Sequence, residues 1–423
     1  MKILLVNTYT DNGGAAIAVR RLAQALKSSA QNLEVAILSL YPFSLGKKPL
    51  GVECQSLASS FLGRFYARLC FVGERAELFY RNGLHREHLF DLSPSRWGWN
   101  SINHHPLVAW ADVVHLHWIN HGFLSLRALQ RLGQINKPIV FTMHDMWVCT
   151  SAAHHQSDPN QYVSPWLGRE KRFIERVGQK KELILKELAP TLIGCSRWIT
   201  QKAKAAHTTT HLRSVSIPNA IDIHQFSPLS KEATSSSGNN ARHLLLGAVH
   251  TSDPRKGFKE FVTAVRILDK RGTLQRHKVV WDVFGQVDAS EKELLQGLPI
   301  HFHGYLSSEE QMIALYRKSD ALIVPSLFEN LPNTIMESLA CGTPVVAFAT
   351  GGIPEMIQDQ TTGYVCSYGD PQALADGIEK LLSTPSDCYQ KMRQEARNFA
   401  CKYYAQSVVA KQHIELYRSL LSI

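Results

Sequence analysis

Short apolar runs alternate with longer amphipathic stretches along the first half of this chain. The amphipathic stretches have helical periodicity and cover residues 15–26, 122–133 and 171–188. The apolar runs, each of a length typical of a strand buried on both faces, are residues 2–7, 35–40, 113–116, 139–143 and 191–195. Because parallel strands need helical crossovers, this alternation predicts a doubly wound α/β domain over residues 1–226.

A second series of the same kind follows a polar segment. Residues 227–241 are rich in serine and lack periodicity, which is typical of a linker. The next apolar runs predict the strands of a second α/β domain, 242–404, and are residues 244–249, 279–284, 300–303, 321–324 and 344–347. The last segment, 405–423, predicts one long helix. Two such domains would form a cleft between the carboxyl ends of their strands, where open α/β sheets bind ligands.

Size and composition agree with two domains and with an intracellular location. The 423 residues exceed the roughly 250–300 at which a single core usually stops growing. No apolar stretch approaches the roughly 18 residues of a membrane span, and the run 2–7 is shorter than the apolar region of a signal peptide. The eight cysteines show no CxxC pair, which favours a reducing, cytoplasmic compartment. The net charge of +10 favours anionic partners, either phosphates, nucleic acid or an anionic membrane surface.

Glu329 and Glu337 bracket seven residues between a predicted strand and the flank of a predicted short helix, 333–340. The first backbone N–H groups of such a helix have no partner within it, so they can bind a phosphate. Here Leu331, Asn333 and Thr334 supply them. Two carboxylates beside a phosphate site could accept hydrogen bonds from the hydroxyls of a sugar and a ribose, which predicts a nucleotide-sugar site. Two solvated helix glutamates are the alternative.

The surroundings of this pair decide between the two interpretations. The segment from Glu329 to the Gly-Gly-Ile-Pro-Glu turn at 351–355 resembles the C-terminal signature of the retaining glycosyltransferases of family four. A glycine turn near the N-terminus, an Ile-Pro-Asn-x-x-Asp segment at 217–222 and a Lys-Gly at 256–257 occur in the order of that family, so the resemblance covers most of the chain.

The resemblance implies the GT-B architecture, in which two Rossmann-like doubly wound domains face a central cleft and the C-terminal helix crosses back to the first domain. It also implies a nucleoside diphosphate sugar as donor substrate, with no cofactor and no metal. Glu329 would hold the donor sugar and Glu337 the ribose, while Lys256 and Arg255 would neutralise the diphosphate. Family members usually carry an arginine six positions before this lysine, where this chain has His250. Solvated loop charges are the alternative for these cations.

Several further residues are predicted to lie at the ligand site. The paired Gly13 and Gly14 precede a helix and would let the donor diphosphate or the acceptor approach the backbone, although a tight structural turn would also need them. His117 and His144 each follow a predicted strand, where a histidine alone is more often structural. The resemblance implies that His117 contacts the donor sugar and that His144 and Asp145 face the acceptor, with Asp145 either orienting a histidine or binding a hydroxyl.

Two weaker signals concern the nucleobase and a metal. Gly304 and Tyr305 end a predicted strand and could meet the base, but a tyrosine there could equally pack in the core. Some family members carry a cysteine cluster after the His-Asp pair. This chain has only Cys149, His154 and His155 there, too few ligands for a structural zinc, so we expect no metal.

Residues 55–100 interleave aromatic and arginine side chains. This pattern indicates an amphipathic helix, and two interpretations stay open. Its apolar face either packs on its own domain or forms an acceptor-side surface that contacts a lipid-linked glycan or the inner face of an anionic membrane.

Together these features predict a retaining glycosyltransferase of surface polysaccharide synthesis, which moves a hexosyl unit to the hydroxyl of a glycan or lipid-linked glycan, with Glu329, His117 and Lys256 as catalytic residues. A nucleotide-sugar epimerase of the same architecture and a non-catalytic carbohydrate-binding protein are the alternatives. A dinucleotide-dependent dehydrogenase fits poorly, because residues 7–16 lack the G-x-G-x-x-G pattern. Only the charge points to nucleic acid, which we do not expect as a partner.

Overall fold

The computed structural model describes residues 1–11, 13–30, 32–44, 49, 51–84, 89–156, 169–229, 241–306 and 308–422. The chain divides into two compact units. The first contains Met1–Ala220 and Gln406–Ile423, and the second contains Ile221–Ala405. Most of the predicted linker, 227–241, lies outside the described residues.

In the described residues, the first unit holds a parallel sheet of seven strands in the order β3-β2-β1-β4-β5-β6-β7. The strands are β1 Lys2–Asn7, β2 Glu34–Ser39, β3 Glu53–Ser56, β4 Val113–Leu116, β5 Ile139–Met143, β6 Thr191–Gly194 and β7 Ser214–Ser216. The helices are α1 Gly14–Ser29, α2 Phe61–Arg81, α3 Pro106–Trp110, α4 Leu126–Leu132, α5 Arg169–Leu188 and α6 Arg197–Ala205. The chain order reverses between β1 and β4, which makes this pair the switch point of the sheet.

The second unit repeats this plan with six parallel strands in its described residues, in the order β10-β9-β8-β11-β12-β13. They are β8 Arg242–His250, β9 Val279–Gln286, β10 Ile300–Gly304, β11 Ala321–Val324, β12 Val345–Phe348 and β13 Gly363–Cys366. The helices are α7 Phe258–Lys270, α8 Thr273–Arg276, α9 Ala289–Glu293, α10 Glu309–Lys318, α11 Asn333–Ala340, α12 Ile353–Met356, α13 Pro371–Leu382 and α14 Ser386–Tyr404. Its switch point lies between β8 and β11.

The prediction of two parallel, doubly wound α/β sheets is confirmed. Strands β4, β5 and β11 have the predicted bounds, and every residue in them is buried, which is why the continuous apolar runs identified them. The apolar pattern did not predict β3, β7 and β13. All three are sheet edges, where a strand pairs on one side only and can carry polar residues such as those of β3.

The C-terminal helix, α15 (Gln406–Leu421), belongs to the first unit. Its Val409 and Ile414 share one core cluster with Ile3 of β1 and Val19 of α1. The Tyr417 hydroxyl forms a 2.7 Å hydrogen bond with Nδ1 of the buried His115 in β4. None of the helices in the described ranges has an apolar stretch long enough to cross a membrane.

Replacing Tyr417 with Phe should destabilise the first unit by about 1–3 kcal/mol, because it leaves the buried Nδ1 of His115 without a partner. Urea unfolding measures the loss. The matched control is Tyr403→Phe on α14, where the ring is partly exposed and the change should stay within about 0.5 kcal/mol. Equal effects of the two changes would show that the Tyr417 hydroxyl contributes nothing to the docking of α15.

Candidate active site

Two loops meet at the switch point of the second unit and bring Lys256 to Glu329. The loop after β8 carries Lys256, and the loop after β11 carries Glu329. The Lys256 ammonium lies 2.6 Å from Oε1 of Glu329, and the Ser326 hydroxyl donates to the same oxygen at 3.1 Å. The Leu327 amide donates to the carbonyl of Arg255 at 2.7 Å, which joins the two loops through their backbones. Both charged side chains are partly accessible.

Two glycines make this close approach possible. Gly257 has φ 65°, and a Cβ added there would lie 1.8 Å from the carbonyl oxygen of Pro325. Gly351, in the Gly-Gly turn, has φ 55°, and its Cβ would lie 1.6 Å from the carbonyl oxygen of Glu329. No side chain larger than hydrogen fits either position. The turns at Gly257 and Gly351 therefore fix the position of the backbone that carries Glu329.

Glu337 occupies a different environment from Glu329. It lies on α11, is buried, and its Oε2 accepts a 2.8 Å hydrogen bond from the Tyr316 hydroxyl of α10. At the other end of α11, Asn333 and Thr334 are its first helical residues and Leu331 precedes its Pro332 cap, all three partly buried. Helix α11 thus positions the buried carboxylate and the amides of its first turn on one rigid element.

The structure separates the two cations that follow β8. Arg255 is held by Asp253, whose Oδ1 accepts from its Nε at 3.0 Å. Lys256 is the cation that contacts Glu329. His250, the last residue of β8, is exposed.

Gly304 ends β10 with φ 66° and is exposed. The ring of Tyr305, which follows it, is 54% exposed. The tyrosine is therefore not a core side chain.

The switch point of the first unit is built from the ends of β1 and β4. The amide of Trp118 donates to Oδ1 of Asn7 at 2.9 Å, and the amide of Thr8 donates to the Trp118 carbonyl at 2.7 Å. Gly13 has φ 87° and is the residue before α1, and a Cβ there would meet nothing within 4 Å. Gly13 and Gly14 are both exposed, so the backbone at the start of α1 is accessible.

Three histidines form a stack at the ends of β4 and β5, and of these His115 and His117 are buried while His144 is half-buried. The rings of His115 and His117 lie 4.1 Å apart, and Nδ1 of His117 is 3.0 Å from Nε2 of His144. Nδ1 of His144 lies 3.7 Å from the Cys195 sulfur. Nε2 of His117 is buried and has no hydrogen-bond partner among the described residues.

Asp145 anchors a second network. Its Oδ2 accepts from the Trp118 indole at 2.7 Å and lies 2.6 Å from Nδ1 of His154. The Trp147 amide donates to Oδ1 at 2.9 Å. Of the two roles predicted for Asp145, the geometry favours orienting a histidine, and that histidine is His154.

Residues 12–225 match the sequence family described as Glycosyltransferase Family 4, and residues 230–399 match the family described as Glycosyl transferases group 1. The first match alone covers half of the chain. This chain belongs to glycosyltransferase family 4. The predicted recognition of the family is therefore confirmed, and the chain is a glycosyltransferase.

Relatives of this glycosyltransferase act on different acceptors. N-acetyl-alpha-D-glucosaminyl L-malate synthase of Bacillus anthracis is 25% identical over 312 residues, which are 73% of this chain and 75% of that protein. D-inositol 3-phosphate glycosyltransferase of Actinosynnema mirum is 26% identical over 291 residues, which are 65% of this chain and 64% of that protein.

Solved structures of similar fold cover nearly the whole of this glycosyltransferase. Sucrose-phosphate synthase from Thermosynechococcus elongatus has a TM-score of 0.68 and 17% identity over 100% of this chain and 99% of that one. Anabaena HepE, solved in complex with UDP and glucose, has a TM-score of 0.62 and 16% identity over 99% of this chain and 100% of that one. Identities this low show the fold alone, which is GT-B as the resemblance implied.

Sequence reasoning missed the partners that fix the site of this glycosyltransferase. Ser326, Tyr316 and Trp118 belong to no short motif, and only the folded contacts with Glu329, Glu337 and Asp145 reveal them. The sequence suggested His154 only as a metal ligand, although its position nine residues after Asp145 could have suggested a charge partner. In the described residues, no group of three or more His, Cys, Asp or Glu is arranged to hold a metal ion.

The buried histidines of the first unit are held neutral. Burial lowers the pKa of His144 to about 4, against the opposing effect of Asp145. Burial also lowers the pKa of His413 in α15 to about 4, despite its bond to the Val409 carbonyl. Burial and the neighbouring His115 and His144 lower the pKa of His117 well below its ordinary value. Burial alone would raise the pKa of Asp145, but the adjacent His154 outweighs it and holds that pKa below its ordinary range.

These shifts predict that the enzyme loses stability as the pH falls from 6.5 towards about 4. In this window the unfolded chain binds protons that the folded chain does not. Stability is therefore complete above the window and declines across it by about 1.4 kcal/mol per pKa unit of displacement for each histidine. Urea unfolding at a series of pH values measures the slope.

Replacing His413 with Gln should make that slope shallower, because one of the displaced histidines is gone. The matched control is His211→Gln at an exposed position, which should leave the slope unchanged. A wild-type stability that does not change across the window would contradict the assignment of neutral buried histidines.

Proposed function

We propose that this glycosyltransferase moves a hexosyl unit, with retention of anomeric configuration, from a nucleoside diphosphate sugar to an acceptor hydroxyl during synthesis of a bacterial surface polysaccharide. The observation that supports the proposal is the contact between Lys256 and Glu329 at the switch point that also carries the first turn of α11. A cation, a carboxylate and helix amides are the groups that a sugar diphosphate needs.

Lys256 serves the leaving diphosphate in this proposal. An ammonium has three donors, so Lys256 can keep Glu329 and still bind a phosphate oxygen. The amides at the start of α11 and the positive end of its dipole add to the charge stabilisation as negative charge builds on the leaving group. Preorganised donors of this kind commonly contribute a few kcal/mol each to transition-state stabilisation.

Glu329 serves the sugar, and Glu337 serves the ribose. Glu329 is bound by Lys256 and Ser326, which suits a carboxylate that positions hydroxyls and does not attack carbon. The departing phosphate oxygen would then take the proton of the acceptor hydroxyl, which delivers the acceptor to the face that the diphosphate leaves. Glu337, which the Tyr316 hydroxyl holds through Oε2, would accept hydrogen bonds from the ribose hydroxyls.

His117, in the first unit, is assigned a hydrogen bond to a substrate hydroxyl. Its Nε2 is a buried polar atom without a partner in the described residues, and such an atom costs about 1–3 kcal/mol. A substrate hydroxyl that reached this nitrogen would offset that cost. Because His117 is held neutral, it can accept or donate a hydrogen bond without bringing charge to the sugar.

A donor panel tests the proposal. Thermal unfolding is followed with UDP, GDP, ADP and the corresponding sugar nucleotides, because a ligand that binds only the folded protein raises its melting temperature. The structure of HepE with UDP and glucose supports a uridine nucleotide as the first candidate. A panel without any stabilising nucleotide would overturn the proposal. An epimerised sugar nucleotide formed without acceptor would assign the chain to the epimerases instead.

Glu329→Gln should lower kcat by about 100- to 1,000-fold, because the carboxylate acts on the sugar during transfer. Glu337→Gln should instead raise the KM for the donor by about tenfold and change kcat less, because it weakens ribose binding. The exposed Glu415→Gln on α15 is the matched control and should change neither constant. Comparable, negligible effects of both motif changes would refute their assigned roles.

We further propose that α2 holds the enzyme on an anionic membrane surface. The side of α2 that contains Gly63, Ala67 and Cys70 is buried. The opposite side carries five apolar side chains that are 49–76% exposed, namely Phe61, Leu62, Phe65, Leu69 and Val72. Arg64 and Arg68 are exposed among them, so this face matches a bilayer with apolar chains and anionic headgroups.

Replacing Phe61 and Phe65 with Ser should weaken binding to vesicles of phosphatidylcholine and phosphatidylglycerol at least about tenfold, since burying one phenylalanine is worth about 1.5–3 kcal/mol. Co-sedimentation measures the binding. Tyr368→Ser, at an exposed ring of the second unit, is the control. Wild-type protein that stays in the supernatant at low salt would contradict the proposed membrane contact.

A further inference from the structure

A cavity of about 1090 Å³ in the first unit lies among α2, α4 and α5, away from the residues assigned above. Within the part of the chain that the structure describes, its charged lining is entirely cationic and consists of Arg81, Arg96, Arg127, Arg172, Arg176 and Lys180. A cavity of this size could hold a ligand larger than a single inorganic phosphate.

Two of the arginines are held in place by an aromatic ring and one carboxylate. The Arg81 and Arg96 guanidinium groups lie 3.8 Å and 5.7 Å from the centre of the Phe173 ring. Glu77 of α2 accepts from both, and also from the Trp97 indole at 3.1 Å. These contacts fix the two guanidinium planes and leave further N–H donors of each group for a ligand.

The α5 side of the cavity carries charge that nothing in the described residues neutralises. Arg172, Arg176 and Lys180 are spaced four residues apart and therefore share one face of the helix, where like charges repel by roughly 0.2–0.5 kcal/mol per pair. Two acidic residues of α5 make ion pairs with other lysines, Glu175 with Lys171 and Glu182 with Lys186. The repulsion among these three cations destabilises the helix, as expected of a surface that binds an anion.

We propose that this cavity binds a diphosphate, or two adjacent phosphates, carried by the acceptor. The proposal rests on the proposed function and names the acceptor class. Planar guanidinium groups match phosphate oxygens in pairs, and five arginines provide more such donors than one phosphate can use. Ser95 lines the cavity, and Ser93, two residues earlier, contacts His154 of the Asp145 network at 2.9 Å, so the cavity borders the acceptor side of the candidate site.

Inorganic pyrophosphate is the first probe, and its binding to the full chain is measured by calorimetry in a Lys256→Met background, which removes the donor-site cation. Arg176→Glu and Lys180→Glu should each weaken the pyrophosphate affinity about tenfold or more. Arg266→Glu, at an exposed position of α7, makes the same charge change and should leave the affinity unchanged. The two cavity variants should fold at least as well as the control, because they relieve the repulsion along α5.

Vesicles distinguish a free diphosphate from a lipid headgroup. Phosphatidylcholine vesicles are compared with the same vesicles containing a long-chain prenyl diphosphate. If the prenyl diphosphate increases binding to the vesicles, and if Arg176→Glu abolishes this increase while Arg266→Glu retains it, the ligand of the cavity is a lipid-borne diphosphate. Loss of pyrophosphate binding without any such gain assigns a water-soluble acceptor. The proposal would be overturned if the Arg176→Glu protein bound both probes as well as the Arg266→Glu protein does. It would also be overturned if Arg176 were needed for binding an oligonucleotide or an acidic peptide but not for binding either probe.

Hydrolysis of the donor without acceptor separates this inference from the proposed function. That reaction needs the donor site only, so Arg176→Glu should leave its rate unchanged. If the donor is hydrolysed but the cavity variants bind pyrophosphate normally, only the cavity proposal fails. If no donor is hydrolysed or bound, the proposed function fails, while the pyrophosphate measurement still decides whether the cavity is an anion site.

Discussion

The candidate donor site depends on one constraint, which is that three loop backbones come into direct contact at the β8–β11 switch point. Gly257 and Gly351 allow this, because each has a positive φ and leaves no room for a Cβ against a carbonyl oxygen of the neighbouring loop. The contact brings Lys256 to Glu329. The Lys-Gly and Gly-Gly-x-Pro-Glu motifs are far apart in the chain, but both of these glycines lie against the loop that carries Glu329.

Strands could be predicted from the sequence wherever both of their faces are buried, as in β4, β5 and β11. The edge strands β3 and β7 could not be predicted, because a strand that pairs on one side only can carry polar residues. The site shows the same division. Glu329 and Lys256 lie in motifs, but Ser326 and Tyr316 contribute single hydroxyls whose positions follow only from the packed structure.

The two units present opposite electrostatic environments. The second unit presents formal charges, with Lys256 beside Glu329. The first presents buried rings in which His117 and His144 stay neutral, because burial and neighbouring histidines disfavour a proton on either. A diphosphate needs cations, whereas a sugar needs hydrogen-bonding groups that neither attract the diphosphate nor compete with it. Neutral histidines meet the second requirement, which explains why strong burial and a predicted functional role coincide at His117.

The positive charge is distributed unevenly, and its distribution indicates where an anion could bind, which the net charge of +10 does not. Lys256 makes a close ion pair, and Arg255 is held by Asp253, so the donor loop adds little unpaired charge. Helix α5 instead lines up Arg172, Arg176 and Lys180 on one face without described acidic partners. Like charges at that spacing oppose helix formation. Helix propensity alone therefore does not explain why three cations share this face. The anion that we propose for the cavity would account for them, because it would neutralise this face of α5.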